Sequence, residues 1–146
     1  MTDRQSTAPG AYLATCPKGL EALLSDELTA LGAEPTKTTV AGVFFQGALA
    51  DAYRVCLWSR LANRVVHCLV REEGVETPER LREVSAEIDW QSHLAAGSTL
   101  AVDFHGRSDA IRHTRFGAQT VKDGVVDRLQ ADGRARPRVD PREPDL

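Results

Sequence analysis

Cysteine is too scarce, and present in the wrong number, to staple this chain: Cys16, Cys56 and Cys68 form an odd set, far apart, without the CxxC spacing of a zinc site. No apolar run approaches the roughly 20 residues that a membrane span needs. The opening residues, Met1-Thr2-Asp3-Arg4-Gln5-Ser6-Thr7, hold no apolar signal-peptide core. These absences fit a soluble chain in a reducing, cytoplasmic setting, with no membrane partner. GxGxxG, GxxxxGK[ST], GxSxG and HExxH are all missing, so dinucleotide-binding, P-loop, serine-hydrolase and metalloprotease chemistry lack their starting motifs. The histidines His67, His93, His105 and His113 fall on different predicted elements, and no metal site and no catalytic residue is expected.

What the chain has is an ordinary globular balance, 42% hydrophobic and 27% charged over 146 residues. A chain of this size buries roughly 70% of its unfolded surface, which suffices for one core or two small adjoining ones. Residues 1–10 are polar and aperiodic and read as a flexible lead-in. A short apolar run over 11–16, closed by Pro17, predicts a strand. Leu20, Leu23, Leu24, Leu28 and Leu31 recur at helical spacing, with Gly32 as the stop, and predict a helix over 18–31. Residues 36–40 and 43–46 are β-rich and joined by Ala41-Gly42, the pattern of a hairpin. A second helix is predicted over 48–61, with Leu49, Ala52, Val55, Cys56 and Ser59 on one face, and a β-branched strand follows over 63–70. Strand, helix, strand, strand, helix, strand is the order of the ferredoxin-like split βαβ unit.

Residues 72–76 are a charged connection, after which Thr77-Pro78 supplies an N-cap and a first-turn proline for a helix to about residue 88. Leu100, Val102 and Phe104 alternate with polar neighbours and predict a half-buried strand over 99–105. The last helix is predicted over 114–131, with Ala118, Val121, Val125 and Leu129 inward and Gly124 in place of a better helix former. Beyond Gly133 the proline-spaced sequence is expected to form no regular element. The fold class is therefore α/β (α+β), in two domains over 11–71 and 72–146. The second has too little sheet for its two amphipathic helices and is expected to be incomplete at its C-terminus.

The net charge of −3 hides an asymmetry: residues 105–138 carry 8 basic side chains against Asp109, Asp123, Asp127 and Asp132. Such a basic stretch points to a polyanionic partner. On the last helix Arg115, Gln119 and Lys122 share a face opposite most of the apolar stripe. Arg112 and His113 precede it, where free helix N–H groups add to side-chain cations in binding phosphate. Phe116 offers a stacking face for an unpaired base. Arg134, Arg136 and Arg138 alternate along the segment that follows. The competing reading is a solvated face whose cations pair with the neighbouring aspartates.

Three segments, 16–21 (CPKGLE), 57–65 (LWSRLANRV) and 111–127 (IRHTRFGAQTVKDGVVD), together resemble the N-terminal part of bacterial THUMP-containing large-subunit rRNA methyltransferases of the RlmL type. The resemblance implies a ferredoxin-like domain followed by a THUMP domain that recognises 23S rRNA. Delivery would be to a downstream Rossmann-like domain that uses S-adenosylmethionine to methylate a guanine exocyclic amine. No acidic-Pro-x-Cys-Gly-Ser-Gly loop and no Asn-Pro-Pro-Tyr loop occurs in this sequence, so the chain alone is expected neither to bind that cofactor nor to methylate. The alternative class is a stand-alone ferredoxin-like regulatory module for a small ligand or partner protein.

Overall fold

A computed structural model describes residues 9–106 and 108–146. The predicted lead-in, as far as residue 8, and Arg107 lie outside the described residues. The chain divides into two compact units, one up to Leu69 and the other from Val70.

The first unit runs β1 (Gly10–Thr15), α1 (Glu21–Ala30), β2 (Glu34–Thr39), β3 (Gly42–Gly47), α2 (Leu49–Trp58) and β4 (Arg64–Cys68). Its sheet has the order β2-β3-β1-β4 and is antiparallel throughout. Alternation along the strands sends Tyr12, Ala14, Val43 and Phe45 to the face where Leu24 and Leu28 of α1 and Ala52 and Val55 of α2 close the core. Tyr12 stacks on its cross-strand neighbours Phe45 and His67, at centroid distances of 5.2 and 4.9 Å. The apolar faces are narrower than the sequence pattern suggests. Leu23, Leu49 and Cys56 are exposed, because each ten-residue helix meets the sheet along little more than one row of side chains.

Two carboxylates of α1 fasten the loops around it. Glu21 accepts the N–H of Gly19 and of Ala41, each at 2.8 Å. Ala41 turns the β2–β3 hairpin at φ 57°. That left-handed conformation is uncommon for an alanine and is held here from both sides, because the Ala41 carbonyl also accepts the N–H of Cys16. Glu27 reaches the other loop, accepting from Ser59 Oγ at 2.5 Å and from the N–H groups of Arg60 and Leu61. Ser59 Oγ in turn accepts from the Ala62 N–H, so the turn between α2 and β4 is tied to α1 through one side chain.

The second unit contains α3 (Pro78–Glu87), a single 3-10 turn (Trp90–Ser92), β5 (Thr99–Leu100), α4 (Thr114–Ala131) and β6 (Arg138–Val139). Thr77 caps α3, its hydroxyl accepting the Arg80 N–H. The core is made by Val84, Trp90, Leu94, Leu100, Ile111, Val125, Val126 and Leu129, and the Trp90 indole N–H is satisfied by the Ser85 carbonyl at 2.7 Å. Where α4 crosses α3 there is no room for a side chain: a Cβ on Gly124 would stand 2.5 Å from the Arg82 carbonyl oxygen and 2.7 Å from Ser85 Cβ. The residue that looks like a weak helix former is thus the contact point of the two helices.

Two expectations are corrected in this unit. The strand predicted over 99–105 is confined to Thr99–Leu100. A strand assignment needs a neighbouring ladder, and among the described residues only β6, with Leu146 bonding to Thr99 and Ala101, supplies one. The alternation itself is real, since Val102 and Phe104 are half-buried while Asp103 and His105 are exposed. Conversely, the segment after Gly133 does contain a regular element: Arg138–Val139 pairs in parallel with Thr99–Leu100.

Two predictions follow from the packing. Burial pushes the Glu27 carboxyl up, but the hydrogen bonds from Ser59, Arg60 and Leu61 outweigh it and leave it below the ordinary carboxylate range. A lowered carboxylate adds stability above its unfolded value, about 4.3, and that stability is lost as pH falls through the lower folded value. Thermal unfolding should therefore show Glu27→Gln destabilised by about 1–2 kcal/mol at pH 7, with the gap to the native chain closing as pH falls below about 4. Equal melting at pH 7 would remove the capping role. Gly124→Ala should destabilise the second unit by about 1–3 kcal/mol in denaturant unfolding, despite the better helix propensity of alanine, because the added methyl meets backbone.

Candidate nucleic-acid interface

The N-terminal end of α4 is set by a short, locked loop. Ser108 and Ile111 exchange hydrogen bonds, Ser108 N–H to the Ile111 carbonyl and Ile111 N–H to Ser108 Oγ, and Ile111 is buried as the loop's anchor. Arg112 follows, with its Nε–H donated to the Asp109 carbonyl at 3.1 Å. His113 is the N-cap residue, and no side chain caps the helix, so the N–H groups of its first turn keep the partial positive charge of a helix start.

Along the outer face, Arg115 and Gln119 are exposed and Lys122 is half-buried. Lys122 Nζ donates to Gln119 Oε1 at 2.9 Å, and the Gln119 amide donates to Asp123 Oδ1 at 2.8 Å. Asp123 is thereby engaged by a neutral amide. Two further aspartates, Asp127 and Asp132, are paired with other cations. Asp127 takes Arg82 of α3 at 2.6 Å, and Asp132 takes Arg128 at 2.8 Å. The Arg82 guanidinium holds the Asp127 carboxyl below its usual range, and Arg128 does the same for Asp132. Among the described residues, Arg112, Arg115 and Lys122 form no salt bridge. Asp127 and Asp132 are thus spent on other cations, while Asp123 is bonded to a neutral amide and Asp109 is in no salt bridge among the described residues.

The remaining candidates are placed less uniformly. Phe116 is about half exposed and faces the start of α3, lining a shallow depression of about 210 Å3 with Pro78, Glu79, Arg82, Thr120 and Asp123. Beside the loop, Arg112 and His113 line a wide depression of about 930 Å3 that also contains Glu76 and Asp109. Its two carboxylates make it a poor anion hole, so the cationic surface is the ridge rather than this hollow. Arg134, Arg136 and Arg138 are not part of the ridge. They lie beyond the C-terminal end of the 18-residue α4, which is about 14 Å along its axis from Lys122 and about 24 Å from Arg115. Arg134 is half-buried and donates Nη1–H to the Leu94 carbonyl at 2.6 Å, whereas Arg136 and Arg138 are exposed.

Around these three arginines is a pocket of about 320 Å3 that the sequence reading did not find. It is lined by the 94–98 turn and the 133–138 segment, with Leu129 between them. The paired turn glycines Gly97 and Gly133, both at positive φ, were the available signal. Among the described residues no group of three or more His, Cys, Asp or Glu is placed to hold a metal ion, and no helix is long and apolar enough to cross a membrane.

The chain folds as two successive α/β modules. Residues 11–66 match the RlmL ferredoxin-like domain and residues 75–146 match the THUMP domain, and the chain belongs to this family. It is 63% identical over 145 residues to a ribosomal RNA large subunit methyltransferase K/L of Chromohalobacter salexigens, covering 99% of this chain and 20% of that protein. The protein of the same name from Cellvibrio japonicus is 52% identical over 135 residues, with 92% of this chain and 18% of the relative covered. The chain thus spans about a fifth of the length of these relatives. Among solved structures, a predicted N6-adenine-specific DNA methylase from Listeria monocytogenes is similar with TM-score 0.83 and 25% identity, covering 92% of this chain and 36% of that one. SMU.472, solved as a complex with SAH, is similar with TM-score 0.75 and 25% identity, covering 89% and 36%.

Proposed function

We propose that this chain is the RNA-recognition segment of an S-adenosylmethionine-dependent 23S rRNA guanine-N2 methyltransferase, acting in the cytoplasm. Its ferredoxin-like domain would take residues 11–71 and its THUMP domain residues 72–146. The observation that carries the reading is the ridge of Arg112, Arg115 and Lys122, whose charges are free of salt bridges among the described residues while Asp127 and Asp132 are paired with Arg82 and Arg128. Three cations beside an uncapped helix N-terminus suit the phosphates of a structured RNA. Arg112, His113, Arg115, Gln119 and Lys122 would follow the backbone, and Phe116 would meet an unpaired base at the ridge's margin.

The residues present do not fit S-adenosylmethionine. The sheet of the first unit is antiparallel, and the one parallel pairing among the described residues, β5 with β6, is two residues long with no glycine-rich turn leading into a helix. A nucleoside cofactor of the Rossmann kind has no seat on such a frame. Methyl transfer would be the work of a domain outside this chain, and this chain's part would be to hold the RNA.

Fluorescence anisotropy with a labelled 23S rRNA hairpin should show affinity falling steeply with salt. The combined change Arg112→Gln, Arg115→Gln and Lys122→Gln should lower the logarithmic salt slope by about 2, at roughly 0.7 for each lost phosphate contact. Folding should be nearly unchanged, because Arg112 and Arg115 are exposed, Lys122 is half-buried, and none of the three is in a salt bridge among the described residues. Arg80→Gln is the matched control, since Arg80 is already shared among Glu72, Glu83 and Glu87. Arg82 is unsuitable for that purpose, because removing it would release the Asp127 charge onto α4. Equal binding by the triple variant and the control would overturn the ridge.

A further inference from the structure

We propose that the pocket at the C-terminal end of α4 receives one unstacked nucleotide of an RNA strand, base inward and phosphate on Arg136 and Arg138. The inference rests on the RNA-binding reading above but uses a different surface. The floor of the pocket is apolar and fixed: Leu94 and Leu129 line it at 3% and 2% exposure. One wall is the 94–98 turn, which presents only Ala95, Ala96, Gly97 and Ser98 beyond Leu94, and Ala135 and Pro137 stand in the other. Small side chains on both sides leave a slot of about 320 Å3, at the lower end of the 300–1,000 Å3 that small-molecule sites occupy.

The charge is arranged at the rim rather than in the floor. Arg134 spends one N–H on the Leu94 carbonyl, which fixes its planar guanidinium as part of the wall. A guanidinium plane held in this way is a stacking surface for a base. Arg136 and Arg138 are exposed and lie two residues apart, with Arg138 held in register by the pairing of β6 with Thr99. Their forked donors match a phosphate. Nearby carboxylates temper this charge, since Asp140 and Asp145 lie close enough to Arg138 for it to favour their ionised forms. Binding here should therefore depend more on the base and less on salt than binding at the ridge. With about 14 Å of helix between Lys122 and the end of α4, one strand could lie on the ridge and turn a single nucleotide into the pocket.

The test is an amide NMR titration of the 146-residue chain with adenosine 5′-monophosphate, and in parallel with adenosine and with inorganic phosphate. The nucleotide should give saturable shifts at Gly97 and Ala135, with adenosine weaker and phosphate alone weaker still. Arg136→Gln with Arg138→Gln should weaken the nucleotide about tenfold or more. Ala96→Phe, at an exposed position that tolerates bulk, should abolish these shifts while leaving the rest of the spectrum in place. Phosphate reproducing the full response would reduce the pocket to an anion site and overturn the proposal, as would nucleotide shifts that fail to saturate or map elsewhere. The ridge variant Arg112→Gln, Arg115→Gln, Lys122→Gln should bind the nucleotide normally. Loss of nucleotide binding with hairpin binding retained sinks the pocket alone, and the reverse sinks the ridge alone.

Discussion

At Gly124 nothing stands between α4 and the backbone of α3, and one added carbon would come within 2.5 Å of the Arg82 carbonyl. This close approach fixes which side of α4 faces inward: Gly117, Thr120, Gly124, Val125 and Leu129 are buried on one side, and Arg115 and Gln119 are left exposed on the other. It also brings Arg82 within 2.6 Å of Asp127 and Arg128 within reach of the Ala86 carbonyl at 3.4 Å. A larger residue at the crossing would part the helices and loosen these pairs together, so the electrostatics of the outer face depends on an absent side chain within the helix pair.

The first unit depends on a comparable economy. Only ten buried residues form its core, several of them as small as Ala14 and Ala52. Its loops are instead held by Glu21 and Glu27, two carboxylates less than two helical turns apart on α1. Backbone N–H groups in both loops thus find charged acceptors, a stronger bond than a neutral carbonyl provides. Two of the three segments that resemble the rRNA methyltransferase family fall on these loops: 16–21 includes Gly19 and Glu21, and 57–65 includes Ser59 through Ala62. Their residues serve the geometry of the ferredoxin-like unit, while the third segment, 111–127, holds the ridge.

The legible parts of the sequence were those with long periodicity. The 114–131 helix has the bounds its pattern predicts, because five turns of spacing, a preceding β-region residue and a following glycine all agree. The order of elements in the first unit was equally readable. Strand length was not, since an alternating pattern over 99–105 shows which side chains turn inward but not whether a neighbouring strand is present to complete the ladder. Gly124 misled because propensity describes an isolated helix, whereas the residue answers to a second helix 40 positions away in sequence. Reading residues 105–138 as one basic stretch also joined two surfaces that α4 holds apart. Arg134 proved to be partly structural for a reason no local pattern carries, its bond to a carbonyl in the 94–98 turn.

A chain of net charge −3 can present a polyanion site because charge acts over a short range in salt. At physiological ionic strength the screening length is about 8 Å, well under the roughly 27 Å length of α4. What a phosphate senses at the ridge is therefore the state of its immediate neighbours, not the total. The nearest carboxylates in sequence are Asp109, Asp123 and Asp127: Arg82 of α3 pairs with Asp127, Asp123 accepts from the neutral Gln119 amide, and Asp109 lies beside Arg112 in the loop before α4. At low ionic strength the screening length grows toward the size of the molecule, and the acidic remainder of the chain would oppose a polyanion drawn to those cations. Counterion release favours phosphate binding in the same limit, so a polyanion would meet the local cations of α4 against a weak opposing background of overall charge.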